Sequence, residues 1–260
     1  MGVFLSELTW EEAKRAFELT QTVVVPTGST EQHGPHMPLG TDWMAAEGLA
    51  RLVTEKANVI TTQVIPVGFA EYHMDFPGTL SVSREHLTNY ICDICDSLVK
   101  WGAKRFVFIN GHGGNAESLN QVAIELRRRH RVLSAIIQWW DIVPEVDGYP
   151  SEQHGGYAET AFIANLRPLL VKRDRANIAM AKNISGELVV AGITNLYFRG
   201  ARIGTFLRTS DVSEVGSMVE QPDARPIDYA QATPEVGRRI MDKAVQIVVD
   251  FIVEFEKIQL

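Results

Sequence analysis

The sequence predicts an α/β fold in which a mostly parallel sheet carries helices on both faces. Segments that read as strands alternate with segments that read as helices over most of the 260 residues, and this alternation favours parallel strands joined by right-handed crossovers. The hydrophobic fraction of 45% is enough for a sizeable core. No internal repeat, low-complexity tract or linker divides the sequence, so we expect a single domain over residues 1–260.

The helices are predicted from their apolar spacing and from signals at their first residues. Thr9 and Glu12 form the capping-box pattern at the start of the first helix. Ser83 and Thr233 are expected to cap two later helices, and Pro234 suits the first turn, where its missing N–H is not needed. The predicted helices cover 9–19, 42–56, 84–101, 115–130, 158–165 and 233–257.

The strands are predicted from short apolar or β-branched runs. The first is expected to end at Pro26, because proline cannot donate a hydrogen bond to a neighbouring strand. The predicted strands cover 22–25, 59–67, 105–109 and 132–138. A further strand is expected over 189–193, and 200–216 reads as a loop.

Polar side chains follow each of the first four predicted strands. In open parallel sheets, ligands bind beyond the carboxyl ends of the strands. The sequence therefore predicts a site at that edge, with candidates Glu31, His33, Glu71, His73, His112, Trp140 and Asp141.

Composition and charge exclude several classes of protein. A formal net charge of −7 argues against nucleic acid or an anionic membrane as a partner, because both need clustered basic charge. No apolar stretch reaches the roughly eighteen residues of a membrane span, and the N-terminus lacks the pattern of a secretory signal. Cys92 and Cys95 lie inside a helical pattern and read as small hydrophobes. We expect a cytoplasmic protein with a small-molecule substrate.

The first chemical motif contains Glu31, His33 and Asp42. In an extended segment, residues two apart project to the same side, so Glu31 and His33 are expected to converge on one cation. Asp42, at a helix start, is well placed to bridge two cations with its two oxygens. Each residue alone also has an ordinary reading as a loop carboxylate, a turn histidine or a helix cap. Their concentration favours a divalent metal site used in hydrolysis.

Two further motifs set histidines among glycines. His112 stands in a glycine-rich loop that would also suit a phosphate, but the P-loop and dinucleotide-binding patterns are absent. Exposure of His112 to a metal is the better interpretation. His154 and Glu159 would supply a general acid or base and another ligand, although Glu159 also reads as an ordinary first-turn carboxylate.

Together these motifs resemble the creatininase (creatinine amidohydrolase) family. The resemblance rests on Gly28-x-x-Glu31-Gln32-His33-Gly34 with Asp42, Phe76-Pro77-Gly78-Thr79, Asn110-Gly111-His112, His154-Gly155-Gly156 with Glu159-Thr160, and Ala232-Thr233-Pro234-Glu235-x-Gly237. It implies a compact α/β domain, a homo-hexamer and two divalent metal ions per chain, which would be zinc, manganese or iron. Glu31, Asp42 and His112 would bind one metal, and His33 with the bridging Asp42 would bind the other.

The sequence departs from the creatininase pattern at several positions. Gly114 stands where creatininase has the glutamate that completes the second metal site, so Glu159 is the expected replacement and Glu117 a weaker one. Gly113, Pro150, Ser151 and Gln153 replace residues of the creatininase substrate pocket, which argues against creatinine as the substrate. The expected substrate-binding residues are Glu71, His73, Gly113, Trp140 and Gln153.

The function implied is hydrolysis of a C–N bond in a small cyclic or linear amide by a metal-bridged hydroxide. His154 would be the proton shuttle and Gln153 would orient the substrate. An alternative is hydrolytic C–C ring opening of a keto-inositol or keto-sugar, for which Glu71, Asp75, His73 and Arg202 would suit a polyhydroxylated substrate. An inactive metal-binding scaffold and a phosphate-binding module are the alternatives from other classes.

Overall fold

The computed structural model describes residues 1–177, 179–180, 184–190, 192–216, 218–219 and 227–259. Within these residues the main sheet has five strands in the order β1-β3-β2-β4-β5, and all its pairs are parallel. The strands are β1 Val3–Phe4, β2 Thr22–Thr27, β3 Ile60–Thr61, β4 Arg105–Asn110 and β5 Leu133–Gln138. The predicted α/β fold with a mostly parallel sheet is therefore confirmed.

The helices are α1 Trp10–Leu19, α2 Thr41–Lys56, α3 Arg84–Lys100, α4 Ala116–His130, α5 Trp139–Ile142, α6 Tyr157–Leu166, α7 Thr209–Val212 and α8 Pro234–Glu256. The predicted N-caps Thr9, Ser83 and Thr233 each accept a hydrogen bond from a backbone N–H of the first turn. Among the described residues, no helix combines the length and apolar character that crossing a membrane requires.

Helices cover both faces of the sheet, so its central strands β2 and β4 are almost entirely buried. Val24 and Val107 point into the apolar cluster formed with α2, α6 and α8. Val23 and Phe106 point into the cluster formed with α3 and α4, which also contains Cys95. Successive residues of one strand thus enter different layers of the core, as a period of two requires. Both cysteines are buried free thiols, as predicted.

Two strand boundaries differ from the prediction. β2 continues through Pro26 because this residue contributes only its carbonyl, which accepts a hydrogen bond from the Ile65 N–H at 3.0 Å. The strand predicted over 59–67 is confirmed only at Ile60–Thr61, with an isolated bridge between Thr27 and Ile65. β-branched residues favour an extended backbone, but a strand also needs a neighbour within hydrogen-bond reach.

An antiparallel sheet lies in the region between α6 and α8. It contains β9 Leu188–Val190, β10 Asn195–Phe198 and β11 Ala201–Gly204. Two separate short pairs join β6 Glu145–Val146 to β7 Tyr149–Pro150 and β8 Ala179–Met180 to β12 Met218–Val219. The loop predicted over 200–216 is wrong at β11 and α7, whereas 205–208 and 213–216 have no regular structure. Arg199 and Gly200 have positive φ and form the tight hairpin turn that leads into β11. The strand predicted over 189–193 is confirmed as far as Val190, the last residue of β9. Residue 191 lies outside the described residues, and Ile193 is in a turn.

The loops that carry the candidate site are tied together by Asn115. Its Oδ1 accepts a hydrogen bond from the Phe69 N–H at 3.1 Å, and its Nδ2 donates to the Gly28 carbonyl at 3.0 Å. Asn115 precedes α4 but makes no side-chain capping bond. The amide instead holds the loops after β2, β3 and β4 at one edge of the sheet.

Candidate metal centre

Four candidate ligands meet at the carboxyl edge of the parallel sheet. Glu31 and His33 come from the loop after β2, Asp42 from the first turn of α2, and His112 from the loop after β4. Each side chain is at least nine-tenths buried. Buried carboxylates are costly unless a positive charge accompanies them, so this cluster needs an explanation.

Asp42 lies between two imidazoles. Its Oδ1 is 2.9 Å from His33 Nε2, and its Oδ2 is 3.0 Å from His112 Nδ1. Glu31 Oε1 lies 3.2 Å from the same His112 nitrogen. The two oxygens of one carboxylate thus face ring nitrogens that come from different loops.

The backbone orients both imidazoles toward these carboxylates. His33 Nδ1 lies 3.2 Å from the Glu31 carbonyl oxygen, and His112 Nε2 lies 2.8 Å from the Phe69 carbonyl oxygen. A carbonyl only accepts, so these nitrogens are the N–H donors. His33 Nε2 and His112 Nδ1 are then the nitrogens available to a cation, which is the usual arrangement of histidine ligands.

Three sets of potential ligand atoms can be distinguished among the described residues. In each set all ligand atoms lie within 4.8 Å of one another. The sets are Glu31 with Asp42 and His112, His33 with His154 and Glu159, and Glu31 with His73 and His154. Glu31 and His33 share no set, so the expectation that they converge on one cation is not met. The reason is that the His33 ring turns back to the Glu31 carbonyl.

The arrangement fits a divalent cation. His33 Nε2 and Asp42 Oδ2 are buried, and despite the ion-pair distances above neither meets hydrogen-bond geometry with a partner in the part of the chain that the structure describes. A cation bound to them would satisfy both atoms and neutralise the carboxylates. Mixed carboxylate and imidazole ligands suit zinc, manganese or iron.

The pKa values of the cluster reflect strong coupling between acids and imidazoles. Burial alone lowers the pKa of His33, but the carboxylates of Asp42 and Glu159 outweigh it and raise that pKa to about 10. Burial opposes ionisation of Asp42, yet His33 and His112 hold its pKa below the ordinary value. Burial raises the pKa of Glu159 to about 7. A protonated imidazole thus supplies the positive charge that a cation would bring, and the two compete for the same nitrogen.

Glu159 belongs to the set of ligand atoms that also contains His33 and His154, called the second set below, and Glu117 belongs to none of the three sets. Glu159 Oε2 is 3.9 Å from His33 Nε2 and accepts a hydrogen bond from the Gly155 N–H at 2.7 Å. Glu117 lies on the exposed side of α4, where its Oε2 is 2.6 Å from Arg84 Nε.

Gly114 has no room for a side chain. A Cβ atom there would lie well under 3.0 Å from the Phe69 carbonyl oxygen and from His112 Nε2. The glutamate that creatininase carries at this position is therefore incompatible with the local backbone.

Gly114→Ala is expected to destabilise the protein by about 1–3 kcal/mol, which is typical of overpacking. This corresponds to a fall in Tm of roughly 3–10 °C for a chain of this size. Gly113→Ala is the matched control, because a Cβ atom at Gly113 meets nothing within 4 Å. Differential scanning calorimetry compares the two, and equal Tm values would contradict the packing argument.

A cavity of about 440 Å³ opens onto the cluster and is lined in part by His73, His112, Gly113, Trp140, His154 and Glu159. Its volume is within the range of small-molecule sites. Glu71 and Gln153 do not line it. The Glu71 side chain is half exposed and lies 3.8 Å from Arg208, and Gln153 is buried. The structure thus brings three of the five expected substrate-binding residues to the cavity.

Sequence reasoning missed several residues of the site. The Tyr72 hydroxyl lies 3.3 Å from His112 Nε2, and Thr209 Oγ1 lies 2.6 Å from His73 Nδ1. Tyr72 stands between Glu71 and His73, so the density of that motif was a usable signal. Thr209 is 136 residues from His73 along the chain, and no local pattern reports such a contact.

Comparison with known proteins identifies a family and several relatives. A family model described as creatinine amidohydrolase (creatininase) matches residues 6–252. The mycofactocin precursor peptide peptidase of Mycobacterium ulcerans is 32% identical over 186 residues, which cover 68% of this chain and 71% of that protein. Matches to three other mycobacterial peptidases of the same name span 62–66% of their lengths.

Two other relatives act on different molecules according to their names. Creatinine amidohydrolase of Pseudomonas putida is 31% identical over 198 residues, covering 67% of this chain and 75% of that protein. The 3-dehydro-scyllo-inosose hydrolase of Thermotoga maritima is 28% identical over 166 residues, covering 62% and 52%. A mutant creatininase of the Zn–Zn type shares the fold, with a TM-score of 0.77 and 24% identity over 98% of each chain. The chain therefore belongs to the creatininase family of hydrolases.

Proposed function

We propose that this protein is a dinuclear metal-dependent hydrolase that cleaves the C–N bond of an amide. The observation that carries the proposal is the position of Asp42, whose two oxygens face His33 and His112 at 2.9 and 3.0 Å. A carboxylate that faces one imidazole with each oxygen is suited to bridge two cations. One-metal binding would leave one of these oxygens without a role.

Each proposed metal has its own ligands apart from Asp42. Glu31 and His112 would complete the first site, and His33 and Glu159 would complete the second. Glu159 would replace the ligand that is missing at Gly114, because Glu117 forms an ion pair with Arg84. We infer that the metals are zinc, manganese or iron, in line with relatives described as Zn–Zn and Mn creatininases.

The chemistry follows from the cavity. Divalent cations bound here would lower the pKa of a water molecule toward neutrality and polarise a carbonyl group. The side chains of His73 and His154 line the cavity beside the ligands, and we assign His154 to contact with the scissile amide. Trp140 and Gly113 would border the substrate. The catalytic domain is proposed to span residues 1–260 and to assemble as a hexamer, as the family resemblance implies.

An amide is favoured over a keto-inositol by the names of two relatives and by the contacts of the acidic loop residues. Two of the relatives, a peptide peptidase and creatinine amidohydrolase, are named for amide substrates. The acidic residues expected to bind hydroxyl groups are engaged elsewhere, since Arg208 lies 2.6 Å from Asp75 and 3.8 Å from Glu71. Neither Asp75 nor Arg202 lines the cavity. The proposed substrate class is therefore a small cyclic or linear amide, with a peptide bond as one linear case.

The proposal is tested by metal analysis together with a substrate panel. We expect about two metal equivalents per chain and hydrolysis of at least one lactam, formamide or short peptide. Turnover of oxidised inositols alone would favour C–C cleavage. One metal equivalent or none, with no turnover of any compound, would favour an inactive scaffold.

Removing both metals is expected to lower Tm by about 12–30 °C, because the binding free energy of two cations is lost. Ligands at 100 to 1,000 times their Kd stabilise by roughly 3–4 kcal/mol per site, and each kcal/mol shifts Tm by about 2–4 °C at this size. Chelation followed by calorimetry measures the change, and added zinc or manganese should reverse it. An unchanged Tm after complete metal removal would contradict the proposed sites.

A further inference from the structure

Gln32 lies between two histidines of the cluster, His73 and His154. Its side chain is buried, and its Nε2 is 2.9 Å from His73 Nδ1 and 2.9 Å from His154 Nε2. The two rings stack on each other with centroids 4.5 Å apart and planes 14° from parallel. One amide group therefore contacts both imidazoles.

The orientation of this amide is fixed by the backbone. The Gly34 N–H, which can only donate, lies 3.0 Å from Gln32 Oε1. The atom facing that N–H must be the amide oxygen, so the atom facing the two histidines is the NH₂ group. An amide NH₂ group has no acceptor capacity.

The proton on each imidazole is determined in consequence. His73 Nδ1 and His154 Nε2 must accept, because an N–H at either position would oppose the amide hydrogens at 2.9 Å. The Thr209 hydroxyl, 2.6 Å from His73 Nδ1, can donate to the same nitrogen. Each ring is then neutral, with its hydrogen on the opposite nitrogen. These nitrogens, His73 Nε2 and His154 Nδ1, lie 3.4 and 3.9 Å from Glu31 Oε1.

We propose that Gln32 is a positioning residue that locks His73 and His154 as hydrogen-bond donors toward the metal centre. The four histidines His33, His73, His112 and His154 of the cluster thereby divide into two kinds. His33 and His112 direct a lone pair at the carboxylates and are ligands, whereas His73 and His154 direct N–H groups there and are not.

This division refines the role of His154. A proton shuttle needs a free lone pair, but the Nε2 lone pair faces Gln32 and Nδ1 already carries a hydrogen. His154 would instead donate a hydrogen bond to the oxygen that becomes negative when the amide carbonyl is attacked. Fixed donors of this kind are worth roughly 10²–10³ in kcat. The part that concerns the substrate rests on the proposed function, whereas the positions of the hydrogens do not.

Neutron diffraction from crystals of the zinc-loaded protein in D₂O tests the positions of the hydrogens directly. We expect deuterium on His73 Nε2 and His154 Nδ1, and none on His73 Nδ1 or His154 Nε2. Deuterium on either nitrogen that faces Gln32 would overturn the proposal. This readout is independent of turnover, so it separates failure of the inference from failure of the proposed function.

Gln32→Glu tests the consequence for catalysis, because a carboxylate accepts and favours the opposite tautomers. We expect kcat to fall by roughly 10²-fold while KM changes little and metal content stays near two equivalents. Gln32→Met, which lacks the donor, should show a smaller loss. Gln121→Met removes an exposed amide that donates to Glu125 at 3.0 Å and serves as the control. A kcat of Gln32→Glu equal to that of the control would overturn the proposal.

Discussion

Replacing Asp42 with asparagine is expected to lower kcat/KM by roughly 10³-fold, because metal-ion catalysis contributes several kcal/mol. The neutral amide keeps the shape of the side chain but offers one oxygen in place of two. Bound metal should fall from about two equivalents per chain to one or none. The measurement is turnover of the best amide in the panel, paired with elemental analysis of the same sample.

Asp141→Asn is the matched control for this experiment. Asp141 lies in the short helix α5 directly after β5, where it is exposed and accepts a hydrogen bond from Gln138 at 2.7 Å. Circular dichroism of both variants establishes that any loss does not arise from unfolding. Retention of both metals and full turnover in Asp42→Asn would remove the basis for a bridged pair.

Glu159→Gln is expected to lower bound metal to about one equivalent and kcat/KM by roughly 10²–10³-fold. Glu159 is the carboxylate of the second set, and its oxygen lies 3.9 Å from His33 Nε2. A glutamine can still accept the hydrogen bond from the Gly155 N–H, so the start of α6 should remain folded. The first site, with Glu31 and His112, should keep its ion.

Glu117→Gln decides between the two glutamates that are candidates to replace the ligand missing at Gly114. It should retain two metal equivalents, because Glu117 lines the cavity as an exposed residue paired with Arg84 and belongs to no set of ligand atoms. Surface ion pairs of this kind contribute about 0–1 kcal/mol. Loss of one metal in Glu117→Gln, with none lost in Glu159→Gln, would assign the ligand to α4 instead.

The fold was predictable because its elements carry local signals. The capping box at Thr9, the caps at Ser83 and Thr233, and the β-branched strands at the centre of the sheet are each fixed within a few residues. The hairpin of β10 and β11 was missed because it carries few local signals. Its residues are mostly exposed, so no apolar alternation marks them, and only Gly200 indicated the turn.

The residues of the candidate site could be predicted from the sequence, but which of them would share a cation could not. Motif density identified Glu31, His33, Asp42 and His112, which the fold brings together. The local spacing of Glu31 and His33 suggested a shared cation, yet the structure separates them into different sets. Which nitrogen of each ring faces the centre depends on contacts such as that between Gln32 and His154, which are 122 residues apart. Tertiary contacts of this length leave no periodicity in the sequence.

An anomalous-scattering map from crystals of the metal-loaded protein tests the central claim most directly. The account predicts two peaks, one contacting Glu31, Asp42 and His112 and the other contacting His33, Asp42 and Glu159, with Asp42 shared. A single peak, or two peaks of which neither contacts Asp42, would contradict it.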